Sequence, residues 1–235
     1  MVIIIIPAML FTPIRLLSLS IVSFATFGWQ HSSFPAMLWA QLNIKHQIEL
    51  TSYSQFQLDD ADGSTGTALA RAALQRPRRI TQYDDSYKKI NFPNGDVSLD
   101  SGNAADDIVR CFRSLGVDLQ EKIYLDMMGS FASYSKNKKD SHPDTNYDHR
   151  NVQNLQVFFA RHGKSLPMTR KVTDYKPGDI ITGRTSDNKP HIAIIVPSPT
   201  GGERPWIVHN IGWGPCIEDS LLSLTVTGHY RYPAD

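Results

Sequence analysis

The chain has 235 residues, 41% of them hydrophobic and 20% charged, with 24 basic and 23 acidic side chains and a net charge of +1. That balance suits a globular domain able to bury a core, and the lack of a basic excess speaks against a nucleic-acid binder. Two cysteines, Cys111 and Cys216, could pair with each other, but their number excludes a disulfide scaffold, and there is no C-x-x-C.

The first thirty residues carry one charge, Arg15. Pro7 and Pro13 interrupt them, so they make a poor continuous span. From Leu16 to Trp29 runs an apolar stretch of signal-peptide length behind Arg15, and Met9 would make a more usual start. Residues 1–40 read as a signal peptide, weakly marked for cleavage near Ala40, or as an uncleaved membrane anchor. Either places the remainder outside the cytoplasm, exported to the periplasm or associated with the envelope. Residues 41–65, ending in LDDADGSTG, read as a linker, and residues 66–235 as the folded domain.

Within that domain TALARAALQ, Thr67 to Gln75, has helical composition. RPRR, Arg76 to Arg79, reads as a solvated turn. A helix is expected from Asn103 to Leu115, closed by Gly116, because Ile108, Cys111, Phe112 and Leu115 recur at helical spacing. LQEKIYLDMMGSFASY reads as a second helix of this group, KNKKDSHPDTNYDHR as a polar loop, and VQNLQVFFARHG as another helix. The period then changes. KPGDIITGR, HIAIIV, WIVHNIG and SLTVTGHYRY are short, β-branched and separated by turn residues. Helices followed by strands predict an α+β domain with an antiparallel sheet.

Ala104 lies four residues before Ile108 and so on the same inward side. It also sits in the first helical turn, where free N–H groups and the positive end of the helix dipole would stabilise a thiolate. The position suits a nucleophile and holds a methyl group. His191 opens one strand and His209 lies near the end of the next. Adjacent antiparallel strands would bring both rings together, one as base and the other to orient it. In a regular strand Asn210 points away from His209, so only one of the two can face the site, and His209 is the expected one. Cys111 is expected to be an apolar filler, and Cys216 to pack in a loop or line the pocket. Asp148, His149 and Arg150 form a polar knot, in which Arg150 either reads a substrate carboxylate or fixes the loop. Trp206, Trp213, Tyr230 and Tyr232 either wall a cleft or pack. Five histidines, at 142, 149, 191, 209 and 229, show no metal-ligand spacing, so neither a metal nor a cofactor is expected.

PGDII, then HIAIIV, then VHN resembles the core of NlpC/P60-type papain-like cysteine hydrolases. YDDSY, FPNGDV, RCFRSLGVDLQ, PDTNYDHRNVQNLQVFFARHG, VHNIGWG, ED and GHYRY extend the likeness. In order, from Leu69 to Tyr232, they resemble the DUF1287 family, a domain of unknown function related to that clan. The resemblance implies a papain-like (NlpC/P60-like) domain, with N-terminal helices packed on an antiparallel sheet. It implies amide hydrolysis by a cysteine, with His191 as base and His209 orienting it. Aligned on Gly102, Asp106 and Arg110, the family's cysteine falls on Ala104, so the chain as written is expected to be inactive. Arg150, Asp148, Asn210 and Trp213 would contact substrate. The export signal and the clan suggest peptidoglycan stem peptides or another envelope peptide as partner. A pseudoenzyme that binds such peptides without cutting them, or an acyltransferase on the same core, are the alternatives.

Overall fold

The computed structural model describes residues 64–78, 82–134, 142–212 and 214–233. The expectations for residues 1–40, for the linker up to residue 63 and for Trp213 lie outside the described residues.

The helices form where spacing and capping residues coincide. Ser64 caps α1 (Thr65–Leu74), its side chain accepting from the Thr67 N–H, so the first helix starts one residue before the expected domain boundary. Asn103 caps α2 (Ala104–Ser114) in a reciprocal box: its side chain accepts from the Asp106 N–H, and the Asp106 carboxylate accepts from the Asn103 N–H. Asp118 caps α3 (Leu119–Ser130), and Asn151 caps α4 (Val152–His162) through the N–H groups of Gln153 and Asn154. All four are legible as helices in the sequence. Two-residue strands β1 (Gln82–Tyr83) and β2 (Ser101–Gly102) pair in parallel just before α2.

The second half forms an antiparallel sheet of six strands in the order β3-β8-β4-β5-β6-β7. They are β3 (Lys164–Ser165), β4 (Ile180–Arg184), β5 (Pro190–Val196), β6 (Trp206–Asn210), β7 (Pro215–Glu218) and β8 (Thr225–Arg231). The domain is therefore α+β, as the order of elements predicts.

Alternation along the strands gives the sheet two apolar faces. Ile180, Ile192, Ile194, Val208 and Ile217 join the larger core with residues of all four helices, including Ala104, Ile108 and Phe112. Phe112 of α2 and Phe159 of α4 pack there with ring centroids 5.7 Å apart. Ile181, Ala193, Ile195 and Ile207 face the other way, under Tyr175 and Leu221. Both faces being covered explains why HIAIIV is apolar at nearly every position.

The PGD turn is structural. Gly178 has φ +85°, and a Cβ there would meet the Gly66 carbonyl oxygen at 2.0 Å, so the turn passes too close to α1 for a side chain. Asp179 is fully buried. Its carboxylate accepts from the Lys176 N–H at 2.8 Å and from the Arg231 guanidinium at 2.8 and 3.1 Å, and lies 2.9 Å from His229 Nε2. It thereby ties the start of β4 to β8.

Candidate active site

The start of α2 is held from three sides. Arg110 reaches back along its own helix to Asp96 and to the carbonyls of Val97, Ser98 and Ser101, which fixes the loop leading into the helix. Gly102, at φ +152°, sits where a Cβ would come within 3.0 Å of Asp106 and 3.1 Å of Arg110. Arg150 then holds Asp106 with two bonds, 2.7 Å from Nε and 3.0 Å from Nη2. Arg76 holds Asp107 at 3.0 and 2.7 Å. Burial nonetheless pushes the Asp107 carboxyl above its ordinary pKa, the nearby guanidinium opposing this. So the two acidic residues of the first turn each have a cationic partner. The capping box uses the N–H groups of Asn103 and Asp106. Those of Ala104 and Ala105 belong to a first turn that has no intrahelical acceptor for them. Ala104 itself is buried.

The two histidines meet. His191 Nε2 stands 2.9 Å from His209 Nδ1, and the rings are close to perpendicular. Both are buried. His209 Nε2 stands 3.2 Å from a carboxylate oxygen of Glu218 in β7. His209 lies directly opposite Cys216 in the β6–β7 register, and Glu218 is two residues further on, on the same face. A relay His191–His209–Glu218 results. Its polarity follows from the carboxylate, which only accepts. His209 Nε2 must donate to Glu218. With one proton on His209, Nδ1 then accepts from His191 Nε2–H. That leaves the lone pair of His191 on Nδ1. Burial first, and the neighbouring His209 second, push the His191 pKa down to about 3, so its ring is neutral at physiological pH. The bond to His209 holds the Glu218 carboxyl below its ordinary range.

Alternation places these rings with Ala193, Ile195 and Ile207, while α2 packs on the other face of β5 and β6. Tyr83, paired with Gly102 just ahead of α2, has its hydroxyl pKa raised, chiefly by burial.

Other expected site residues take different places. Asn210 points away from His209, as alternation requires, and its Nδ2 donates to Asp107 at 3.1 Å while its Oδ1 accepts from the Gly212 N–H. It joins β6 to α2 instead of offering itself to a substrate. Arg150 is also turned inward: beyond Asp106 it donates to the carbonyls of Ser86 and Asp84. Its fork is filled by the protein, which corrects the substrate-carboxylate reading in favour of loop fixing. Asp148 accepts from the Asp144 N–H and from Asn154 Nδ2, and so shapes the loop ahead of α4. Cys111 is buried, with its thiol pushed up to about 12 by desolvation, and serves as apolar filling. Neither cysteine is in a disulfide. Glu218 has no role expected from the sequence, although ED stands among the family-like motifs. Only the β6–β7 register reveals that it falls beside His209.

Fold and site together define an α+β domain whose antiparallel sheet carries a His–His–Glu relay, with both imidazoles buried and the carboxylate partly exposed, on the face opposite a capped helix. The sequence profile of the Domain of unknown function DUF1287 matches residues 70–232, and the chain belongs to that family. It is 37% identical over 169 residues to the Uncharacterized protein YijF of Escherichia coli strain K12, an alignment spanning 72% of this chain and 82% of that one. Among solved structures, NlpC1 from Trichomonas vaginalis aligns over 76% of this chain at 18% identity with a TM-score of 0.41. The chain covers 48% of that protein, about half its length.

Proposed function

We propose that this domain has the scaffold of a papain-like, NlpC/P60-like amide hydrolase of the cell envelope, with Ala104 at the nucleophile position. The observation that carries this reading is the His191–His209–Glu218 relay, whose polarity puts a neutral imidazole lone pair at the mouth of β5. A thiol at position 104 would give its proton to His191 Nδ1 and attack the amide carbonyl. The first-turn N–H groups of α2 would stabilise the oxyanion, and the imidazolium would then protonate the leaving amine. The mechanism requires the His191 ring to reach position 104 past the mouth of the strand.

With a methyl group at 104 the chain as written has no covalent chemistry there. Ala104 thus favours a second reading, a binding protein for envelope peptides. In both, the partner is an exported peptide such as the peptidoglycan stem, met in the periplasm or at the envelope. The test is digestion of purified peptidoglycan by the protein as written and by Ala104→Cys, reading new amine termini by mass spectrometry. Cleavage by the variant alone supports the hydrolase scaffold. Cleavage by the unsubstituted chain refutes the role of position 104. Binding without cleavage by either leaves the peptide-binding reading in its place.

A further inference from the structure

We propose that His209, Cys216 and Glu218 form a binding site for a divalent ion of the Zn2+ type, and that the ion silences the base of the neighbouring His191. The second half of this statement rests on the hydrolase reading; the first does not.

The donor atoms of these three side chains all lie within 4.8 Å of one another. The sheet puts them there: His209 faces Cys216 across β6 and β7, and Glu218 follows on the same side of β7. His209 Nε2 and the Glu218 carboxylate are already 3.2 Å apart. Tetrahedral zinc with bonds of about 2.0–2.3 Å places its donors about 3.3–3.8 Å apart, so small rotations of Cys216 and Glu218 close the set. Those two side chains are only partly buried, with Glu218 43% exposed, so an ion can enter and a water can take the fourth position. One thiolate, one imidazole and one carboxylate suit Zn2+ and disfavour Mg2+ or Ca2+, which take oxygen ligands. His191 completes the site from behind. A metal-bound imidazole uses its second nitrogen in a hydrogen bond that fixes its tautomer and orientation, and His209 Nδ1 already has that partner at 2.9 Å.

The consequence is a reversal of the relay. Without metal, His209 Nε2–H donates to Glu218 and His191 Nε2–H donates to His209 Nδ1, leaving the lone pair of His191 on Nδ1. Zn2+ needs the lone pair of His209 Nε2, so the single proton of His209 must sit on Nδ1. There it donates to His191 Nε2, which becomes the acceptor. The proton of His191 is then on Nδ1, where the base was. Counting protons, His191 and His209 each keep one, and the thiol of Cys216 loses one to solvent as its sulfur binds the ion. No electrons are transferred. The ion thus converts the residue that would accept a proton into one that donates one.

The test uses the purified full chain and Zn2+, with Co2+ as the spectroscopic probe. One ion should bind per chain, and Co2+ should give a thiolate charge-transfer band. Cys216→Ser should abolish the band and weaken Zn2+ binding by at least about 100-fold. His191→Ala should weaken it by about 10-fold, the scale on which hydrogen-bond partners of ligands act. Glu218→Gln, at a half-exposed side chain, serves where the serine variant does not fold. Long-range 15N–1H correlation of the ring nitrogens should show the His191 proton moving from Nε2 to Nδ1 as Zn2+ is added. Absence of stoichiometric binding, or binding that neither Cys216→Ser nor Glu218→Gln weakens, overturns the site. Binding without movement of the His191 proton overturns the switch. In an Ala104→Cys background Zn2+ should slow alkylation of the introduced thiol about tenfold, and Cys216→Ser should remove that effect. If the introduced thiol is unreactive even with chelator present, the hydrolase reading falls, while the cobalt band and the ring-nitrogen shifts decide the ion site separately.

Discussion

Arg150 and Asp106 form a buried two-bond pair between the loop before α4 and the first turn of α2, at 2.7 and 3.0 Å. The pair does three things at once. It neutralises a carboxylate beside Ala104, it completes the polar shell of a carboxylate that also caps the helix, and it fixes the 84–86 segment through two carbonyls. Arg150→Ala leaves Asp106 buried and without its guanidinium, and such breaks cost about 3–5 kcal/mol. Arg150→Lys should recover little of this, because an ammonium cannot reproduce the planar fork. Urea denaturation of the two variants measures both effects; a loss under about 1 kcal/mol for the alanine variant would show that the pair does not hold the helix start.

Next to it in sequence, His149 predicts how stability responds to acid. Burial is the main reason its pKa is pushed down to about 4, from an ordinary value of about 6.5. Above pH 6.5 neither folded nor unfolded chain protonates this ring, and it has no effect. Between 6.5 and 4 the unfolded chain takes the proton and the folded chain refuses it, so stability falls by about 1.4 kcal/mol per pH unit from this residue. His149→Gln should flatten that part of the pH profile. A slope unchanged between pH 6 and 4.5 in the glutamine variant would contradict the assignment.

The two cysteines should differ in reactivity. Cys111 is enclosed in the core with its thiol pushed up to about 12, whereas Cys216 is only partly buried. Iodoacetamide at neutral pH should modify Cys216 in the native protein, and Cys111 only at the rate at which the chain unfolds. Peptide mapping over a time course in chelator reads the difference; comparable early labelling of both would mean the core around Phe112 is open.

Much of this arrangement is legible in the amino-acid sequence alone. The helices show through helical composition in the first and the apolar spacing of Ile108, Cys111, Phe112 and Leu115 in the second, and the long strands because β-branched runs stand between turn residues; the caps Ser64, Asp118 and Asn151 emerge from the structure. Strict alternation gives the opposite orientations of His209 and Asn210. The two-residue strands are invisible because a period of two cannot show in two residues. β7 is hidden differently: Gly214 and Pro215 read as a loop, yet Pro215 only begins the strand, where a missing N–H is tolerated. Losing β7 also loses Glu218, since its place beside His209 depends on cross-strand register. Arg150 is ambiguous for a chemical reason. The fork that would bind a substrate carboxylate binds an internal one equally well, and only burial of both partners decides.

The last prediction puts the proposed nucleophile position to a graded test. Ala104→Cys should yield a thiol more reactive than Cys111 or Cys216, with a pKa well below the free value of about 8.5. Two features would lower it: the first turn of α2 offers N–H groups to the thiolate, and a thiolate beside His191 would itself favour the imidazolium that burial otherwise disfavours. The first-turn carboxylates do not cancel this, because Arg150 and Arg76 neutralise them. Alkylation rates at the introduced thiol should therefore plateau below pH 8 in chelator. His191→Ala in that background should remove the advantage by removing the base. His209→Ala should lower the rate less, since the base remains but loses its fixed tautomer. Glu218→Gln should be milder still, because the glutamine oxygen can accept from His209 Nε2 without the charge. That order, 191 before 209 before 218, distinguishes a relay from a merely acidic pocket. If the three variants slow alkylation equally, or if the introduced thiol titrates like a free cysteine, the imidazole of His191 does not reach position 104, and the relay serves the sheet face on which it lies.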